Sequence, residues 1–194
     1  MKKNEIYDTT FRLIQIMESM YQKKENKDLF AAFRNSAGKP FSDAEDVWPF
    51  LFGNLPEDFL GSGSRVTAEE NAVYISLQNY AVCRQGSADN IRVTGHEAGN
   101  IGRSLSQIRD ADSQSLDRRF NALMTCATFD EFTYHLRHMI KLFKSRAKSP
   151  ISVDFAKLAE DLFWYQKGKD REVCFSWAKS YYWNYSSKED EKNE

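Results

Sequence analysis

The chain has 194 residues, of which 41% are hydrophobic, 14% aromatic and 28% charged, and its 27 Lys+Arg against 28 Asp+Glu leave a net charge of −1. That length fits one domain, or two small ones sharing a core, burying about 70% of the unfolded surface, and the aromatic content excludes intrinsic disorder. No apolar run reaches the ~20 residues of a membrane helix, no apolar signal core follows Lys2-Lys3, and Cys83, Cys126 and Cys174 are too few and too scattered for a disulfide framework, so a cytoplasmic protein without membrane contact is expected.

Four prolines and nine glycines punctuate segments that read with a helical period. From about Asp8 to Lys24, Phe11, Ile14, Met17 and Tyr21 line one side of a first helix. Lys27 to Ser36 carries Leu29, Phe30 and Phe33, with Gly38 placed to stop it. Ser42 with Glu45 and Thr67 with Glu70 read as capping boxes, the second opening a helix through Val73, Leu77 and Tyr80 that Gly86 ends. Leu55–Arg65 and Gly86–Gly99 read as irregular. A short helix from Ile101 to Arg109 follows, and then Leu116, Phe120, Leu123 and Met124 at helical spacing. A third box, Thr128 with Glu131, opens a helix to about Lys148, with Pro150 as its stop signal. Asp154–Lys167 and Arg171–Tyr185, separated by Gly168, complete the set. The expected fold is an all-α bundle of roughly eight or nine helices with short loops. It is a single domain over 1–194, with an additional N-terminal helix over 1–25 and a flexible acidic tail over 186–194.

The helix after Thr128 segregates its charges. At about 100° per residue, Phe132, Leu136, Met139, Ile140 and Phe143 share one face. Thr133, Arg137, Lys141, Lys144 and Lys148 share another, and no acid lies between Phe132 and Lys148. Surface helices usually mix signs, because opposite charges at i, i+4 stabilise them while like charges repel by a few tenths of a kcal/mol. A polyanion would relieve that repulsion and release counterions. The alternative is a solvated face balanced by acids on a neighbouring helix. From Asn100 to Lys148 there are nine Lys/Arg against five acids, whereas the segment from Ser186 is net acidic, so the near-zero total sums unlike parts.

Catalytic and metal motifs are weak. His135 and His138 stand at i, i+3 beside Glu131, but no second ligand pair accompanies them and both lie off the apolar face, so they read as surface histidines. His96-Glu97 lacks the second His of a zincin motif, and Gly95, Gly99 and Gly102 form no phosphate loop. The cysteines fall in helical segments and read as small buried hydrophobes. Glu160 and Asp161 are sequence neighbours that point apart on a helix, which makes a poor acid/base pair. No enzyme, metal or cofactor is expected. The aromatic C-terminal segment reads mainly as core, with Trp164 and Trp183 off the apolar stripes and available to an interface.

An ordered series of short motifs resembles the CasB family, the small subunit of the type I-E CRISPR surveillance complex, Cascade. It comprises Phe33-Arg34-Asn35, Trp48-Pro49, Ile101-Gly102-Arg103 with Leu105, and Arg119-Phe120-x-x-Leu123-Met124. It continues with Leu136-Arg137-x-x-Ile140-x-Leu142-Phe143, the run Ile151, Asp154, Leu158, Asp161 and Leu162, and Trp177-Ala178-x-x-Tyr181-Tyr182. The resemblance spans Asp28 to Tyr182; an extra N-terminal helix and the acidic tail depart from it. It implies an all-helical, non-enzymatic subunit, present as two copies beside the large subunit and backbone subunits. Such a subunit holds guide-RNA-opened DNA, chiefly the displaced strand, and so stabilises the R-loop in antiviral defence. Backbone neutralisation without base reading is the implied role, since guide pairing reads sequence. Arg34, Arg103, Arg118, Arg119, Arg137, Lys141, Lys144 and Lys148 are the expected phosphate contacts; Arg119 has an alternative role, anchoring a buried carboxylate beside Phe120. The competing reading is a helical protein–protein adaptor whose basic face docks an acidic partner.

Overall fold

The structure, a computed structural model, describes residues 2–23, 27–86, 91–93, 99–110, 113–147 and 151–190. Among these residues it is an all-α bundle. In chain order the helices are α1 (Lys2–Gln22), α2 (Lys27–Asn35), α3 (Trp48–Phe52), α4 (Ala68–Arg84) and α5 (Ile101–Ser106). They continue with α6 (Gln114–Met124), α7 (Phe129–Arg146), α8 (Phe155–Trp164) and α9 (Asp170–Asp190).

The centre is α4, in which every residue from Ala72 to Cys83 is buried. A helix enclosed on all sides must satisfy its polar side chains internally. Those of α4 do so by tying down their neighbours. Gln78 Nε2 donates to the Ser36 carbonyl at 2.7 Å, the Tyr74 hydroxyl reaches the Ser36 and Lys39 carbonyls at 3.2 Å each, and Ser76 donates to the Phe155 carbonyl. The Thr67–Glu70 capping box is formed in both directions.

The N-terminal helix is built into this core. Ile6, Leu13, Ile14 and Met17 of α1 are buried, and α1 packs on α4 and α8. The Tyr7 hydroxyl donates to Asp154 Oδ2 at 3.0 Å, while Asp154 Oδ1 accepts the Lys157 N–H at 2.8 Å and so caps α8. Glu18 accepts the Tyr80 hydroxyl and pairs with Arg84 at 2.9 Å. Between α5 and α9 the backbones nearly touch: a Cβ at Gly102 would lie 2.1 Å from the Trp177 carbonyl oxygen. Only glycine permits this approach.

Several local expectations are corrected. Ser42 and Glu45 form no capping box: Ser42 Oγ donates to Asp43, and the segment forms two single 3₁₀ turns, Phe41–Asp43 and Glu45–Val47. Trp48 Nε1, donating to the Phe41 carbonyl at 2.8 Å, closes that segment onto α3. At Thr128 the box is half formed, because Glu131 reaches the Ala127 N–H at 2.9 Å rather than that of Thr128. Two three-residue strands, β1 (Ile91–Val93) and β2 (Ile151–Val153), pair in parallel with Ile91 opposite Ile151 and Val93 opposite Val153. Both are β-branched at their ends, and both are too short for alternation to reveal. Cys126 sits in the loop after α6, not inside a helix. Gly168, at φ +82°, makes the break between α8 and α9. Helix α9 continues to Asp190, into the acidic segment. His96 and Gly95 lie outside the described residues.

Glu160 and Asp161 converge rather than diverge. Lys157 Nζ lies 3.0 Å from Glu160 and 2.6 Å from Asp161, being one helical turn from both. Asp161 Oδ2 also accepts the Trp177 indole N–H at 2.7 Å, in the buried seam of α8 and α9. Burial raises the Asp161 carboxyl, with Lys157 and Trp177 opposing. This cluster clamps two helices together.

Candidate nucleic-acid interface

Helix α7 turns Phe132, Leu136, Met139, Ile140 and Phe143 inward, as its periodicity requires. Rotated away from them, Arg137 and Lys144 are half-buried and Lys141 is exposed. Arg137 owes its position to a neighbouring turn. Its guanidinium lies over Gly38, where a Cβ would fall 2.3 Å from Nη1, and Gly38 itself takes φ +95°. The glycine that ends the α2 segment thus also opens the space for this arginine. Beneath Arg137 is a groove of about 440 Å³ bordered by Gly38, Phe41, Gln78, Asn79 and Thr133. The ring of Tyr134, half exposed, lies 5.6 Å from the guanidinium and 4.4 Å from the His138 ring.

Lys144 is partly committed to the fold: its ammonium donates to the Val82 carbonyl at 2.8 Å, near the C-terminus of α4. Burial lowers its pKa, and Arg34, in the last turn of α2, lowers it further. The Arg34 charge is therefore felt at Lys144, which extends the positive strip from α7 toward α2. At the other edge, α6 supplies Arg118 and Arg119, both exposed. They line a second groove with Tyr134, His135 and His138. His138 is held below its ordinary value by burial and then by Arg137, Lys141, His135 and Arg119. Four cationic or titratable groups from two helices thus converge on one imidazole.

Six of the expected contacts, Arg34, Arg118, Arg119, Arg137, Lys141 and Lys144, therefore belong to one surface running from α2 across α7 to α6. None of them forms an ion pair with a carboxylate among the described residues. Arg103, exposed on α5, is carried by a helix that packs on α9 and β2 instead. Lys148 lies outside the described residues. The carboxylate-anchoring role left open for Arg119 falls to Arg109. Its Nε and Nη2 hold Asp117 at 3.0 and 2.8 Å, its guanidinium lies 4.9 Å from the Tyr181 ring, and the Tyr181 hydroxyl donates to Asp117 at 2.7 Å.

Two features were not legible as a site. Tyr134 lies at the centre of the basic surface, yet only its spacing three residues before Arg137 hinted at this. Cys126, Glu131 and His135 bring a thiol, a carboxylate and an imidazole within 4.8 Å of one another. Burial pushes the Cys126 thiol up to about 11 and, deeper in the core, the Cys83 thiol up to about 12. The C-terminal aromatics divide as expected for most: Phe163, Trp177 and Tyr181 are buried, whereas Phe175 and Trp183 are exposed. No described helix is long and apolar enough to cross a membrane.

Comparison with known proteins adds an independent line. Residues 29–182 match the family model of CRISPR-associated protein Cse2. A CRISPR-associated protein Cse2 from Thermus thermophilus is 30% identical over 166 residues, covering 84% of each chain. Among solved structures, CasB from Thermobifida fusca superposes with a TM-score of 0.65 at 17% identity, covering 92% of this chain and 96% of that one. A Cse2-family protein from Thermus thermophilus superposes with a TM-score of 0.61 at 24% identity, covering 93% of this chain and 97% of that one.

Proposed function

The chain belongs to the Cse2 family of CRISPR-associated proteins, and from that premise we propose that it is a non-catalytic small subunit of a type I-E Cascade complex that binds nucleic-acid backbone and stabilises the displaced DNA strand of the R-loop. The observation that carries this reading is the surface from Arg34 through Lys144, Lys141 and Arg137 to Arg119, basic across three helices and without paired acids among the described residues. Unpaired cations on a nearly neutral chain favour an external polyanion, because each phosphate neutralised releases condensed counterions. Arginine and lysine side chains aimed outward grip phosphates without reading bases, which suits a subunit of a complex in which the guide supplies sequence recognition. Tyr134 adds a half-exposed ring on which an unpaired base can stack, worth about 1–3 kcal/mol. The proposed partners are the large and backbone subunits, the guide RNA, the opened DNA and a second copy of this chain.

The test is single-strand DNA binding over a salt series, with the protein alone and assembled with the other subunits. Replacing Arg119, Arg137 and Lys141 together with alanine is expected to flatten the log–log salt slope by about 0.7 for each lost phosphate contact, or roughly 2 in all. An unchanged slope would overturn the site. An unchanged slope together with failure of the variant to assemble would establish the adaptor reading, in which the same face docks an acidic protein.

A further inference from the structure

The corner between α6 and α7 holds a set of side chains that the nucleic-acid reading does not use. Glu131 and His135 stand at i, i+4 on α7, so their side chains project from adjacent turns of one face. Cys126, in the loop leading into that helix, brings its thiol to them. The Sγ, a carboxylate oxygen and an imidazole nitrogen all lie within 4.8 Å of one another, from residues that are half-buried, exposed and half-buried in turn. We propose that Cys126, Glu131 and His135 form a divalent-metal site that takes Zn²⁺ and locks the α6–α7 corner.

Three observations support this. The donors are one thiol, one imidazole and one carboxylate, a mixed soft, borderline and hard set that suits zinc and is a poor match for the all-oxygen shells of Mg²⁺ or Ca²⁺. The geometry needs little change. Tetrahedral zinc bonds of about 2.0–2.3 Å hold ligand atoms roughly 3.3–3.8 Å apart, and donor atoms already within 4.8 Å of one another come to that spacing by small side-chain movements. Orientation is partly set already, because Glu131 Oε2 accepts the Ala127 N–H at 2.9 Å, whereas the Cys126 S–H, which donates to the Ala122 carbonyl at 3.1 Å, gives up that bond when the thiol ionises. An outer contact such as that on Glu131 fixes the direction of a ligating group. The three ligands leave one position of the tetrahedron for water.

On binding, the Cys126 thiol releases its proton to solvent and ligates as thiolate. Thiolate and carboxylate then balance the ion, so the occupied site is itself neutral; because Zn²⁺ replaces one proton, binding adds one positive charge relative to the empty site, whose carboxylate carries −1. Its physical effect is to fix the end of α6, which carries those arginines, against α7, which carries Arg137 and Lys141. The metal site stands independently of whether that surface binds DNA.

The full-length protein, stripped with a chelator, is titrated with Zn²⁺ alone and with Co²⁺ alone. Binding of one equivalent is expected. A thiolate-to-cobalt charge-transfer band should appear with Co²⁺, and at Zn²⁺ one hundred times Kd the melting temperature should rise by roughly 5–10 °C. Cys126→Ser should abolish the band. Glu131→Gln and His135→Gln should each weaken zinc by about tenfold or more, and His138→Asn should leave binding intact. Absence of both band and melting shift in the unaltered protein overturns the proposal, and needs no variant to fold. So does a Cys126→Ser protein that binds zinc as the parent does, or dependence on His138 instead of Cys126.

Discussion

In the seam between α8 and α9, Lys157 is held by Glu160 and Asp161, and Asp161 in turn holds the Trp177 indole. Between α5, α6 and α9, Arg109 is chelated by Asp117 and covered by Tyr181. Along α7 the opposite holds: Arg137, half-buried, and Lys141, exposed, form no ion pair with a described carboxylate. Residues of the same type therefore divide by partner. Cations with acid partners in the seams belong to the fastening of helices, and cations without them make a surface. A net charge near zero is compatible with both, because the acids that cancel the sum are mostly elsewhere on the chain. Charge in such a chain has to be read by pairing and not by total.

The most severe challenge to this division is at Asp161. Asp161→Ala leaves the Lys157 ammonium short of a partner and the buried Trp177 N–H without an acceptor. Removing one side of a buried charge pair costs about 3–5 kcal/mol. In a chain of this size that lowers the melting temperature by roughly 6–20 °C. Calorimetry should show this, while the salt slope of DNA binding by the folded fraction stays the same. A smaller loss comes from Gly102→Ala. The new methyl meets the Trp177 carbonyl at 2.1 Å, and backbone yields only by moving α5 away from α9. Overpacking of this kind costs about 1–3 kcal/mol, measurable by denaturant unfolding.

How much of this was legible in the sequence follows from range. Helix positions were readable because a 3.6-residue period is local: the buried stripe Phe132, Leu136, Met139, Ile140 and Phe143 is the one that spacing gives. The Thr67–Glu70 cap was readable for the same reason. The basic strip on α7 was readable as a pattern, but its extension to Arg119 depends on α6 packing beside it, and its extension to Arg34 on α4 holding both α2 and α7. Range also explains the misses. Gly38 looks like a helix stop, and only packing across 99 residues makes it the seat of Arg137. Arg109 and Arg119 are indistinguishable by composition; the fold sets Arg109 facing Asp117 and leaves Arg119 in solvent. Glu131 and His135 are visible together on one helix, but the thiol that joins them comes from the preceding loop, which helical spacing does not reach.

Gly38→Ala tests the boundary between the two regions. The φ of +95° is strained for alanine, at a cost of about 1–2 kcal/mol, and the added Cβ overlaps the Arg137 guanidinium. A guanidinium at the end of a flexible chain moves aside, so most of the packing conflict is resolved by displacing Arg137 and not by unfolding. The variant should therefore lose modest stability and, in addition, flatten the DNA salt slope by about 0.7, the change also expected of Arg137→Ala. Equal stability loss with an unchanged slope would place Arg137 with the fastening residues.

The smallest stability effect is expected where binding changes most. Arg119, Arg137 and Lys141 have no ion pair with a described carboxylate, so replacing all three with alanine removes no buried pair and leaves no polar group stranded. Surface changes away from such features stay within about 0.5 kcal/mol each. Here the sign should lean toward stabilisation. Arg137 and Lys141 are like charges at i, i+4, whose mutual repulsion costs a few tenths of a kcal/mol, and alanine is the better helix former. Unfolding in denaturant should accordingly show a midpoint equal to or above that of the parent, together with a salt slope reduced by roughly 2. A midpoint lowered by as much as that of Asp161→Ala would mean these cations are paired in solution. The distinction between fastening charges and surface charges would then fail where it matters most, because a paired stripe has no free charge to offer a phosphate backbone.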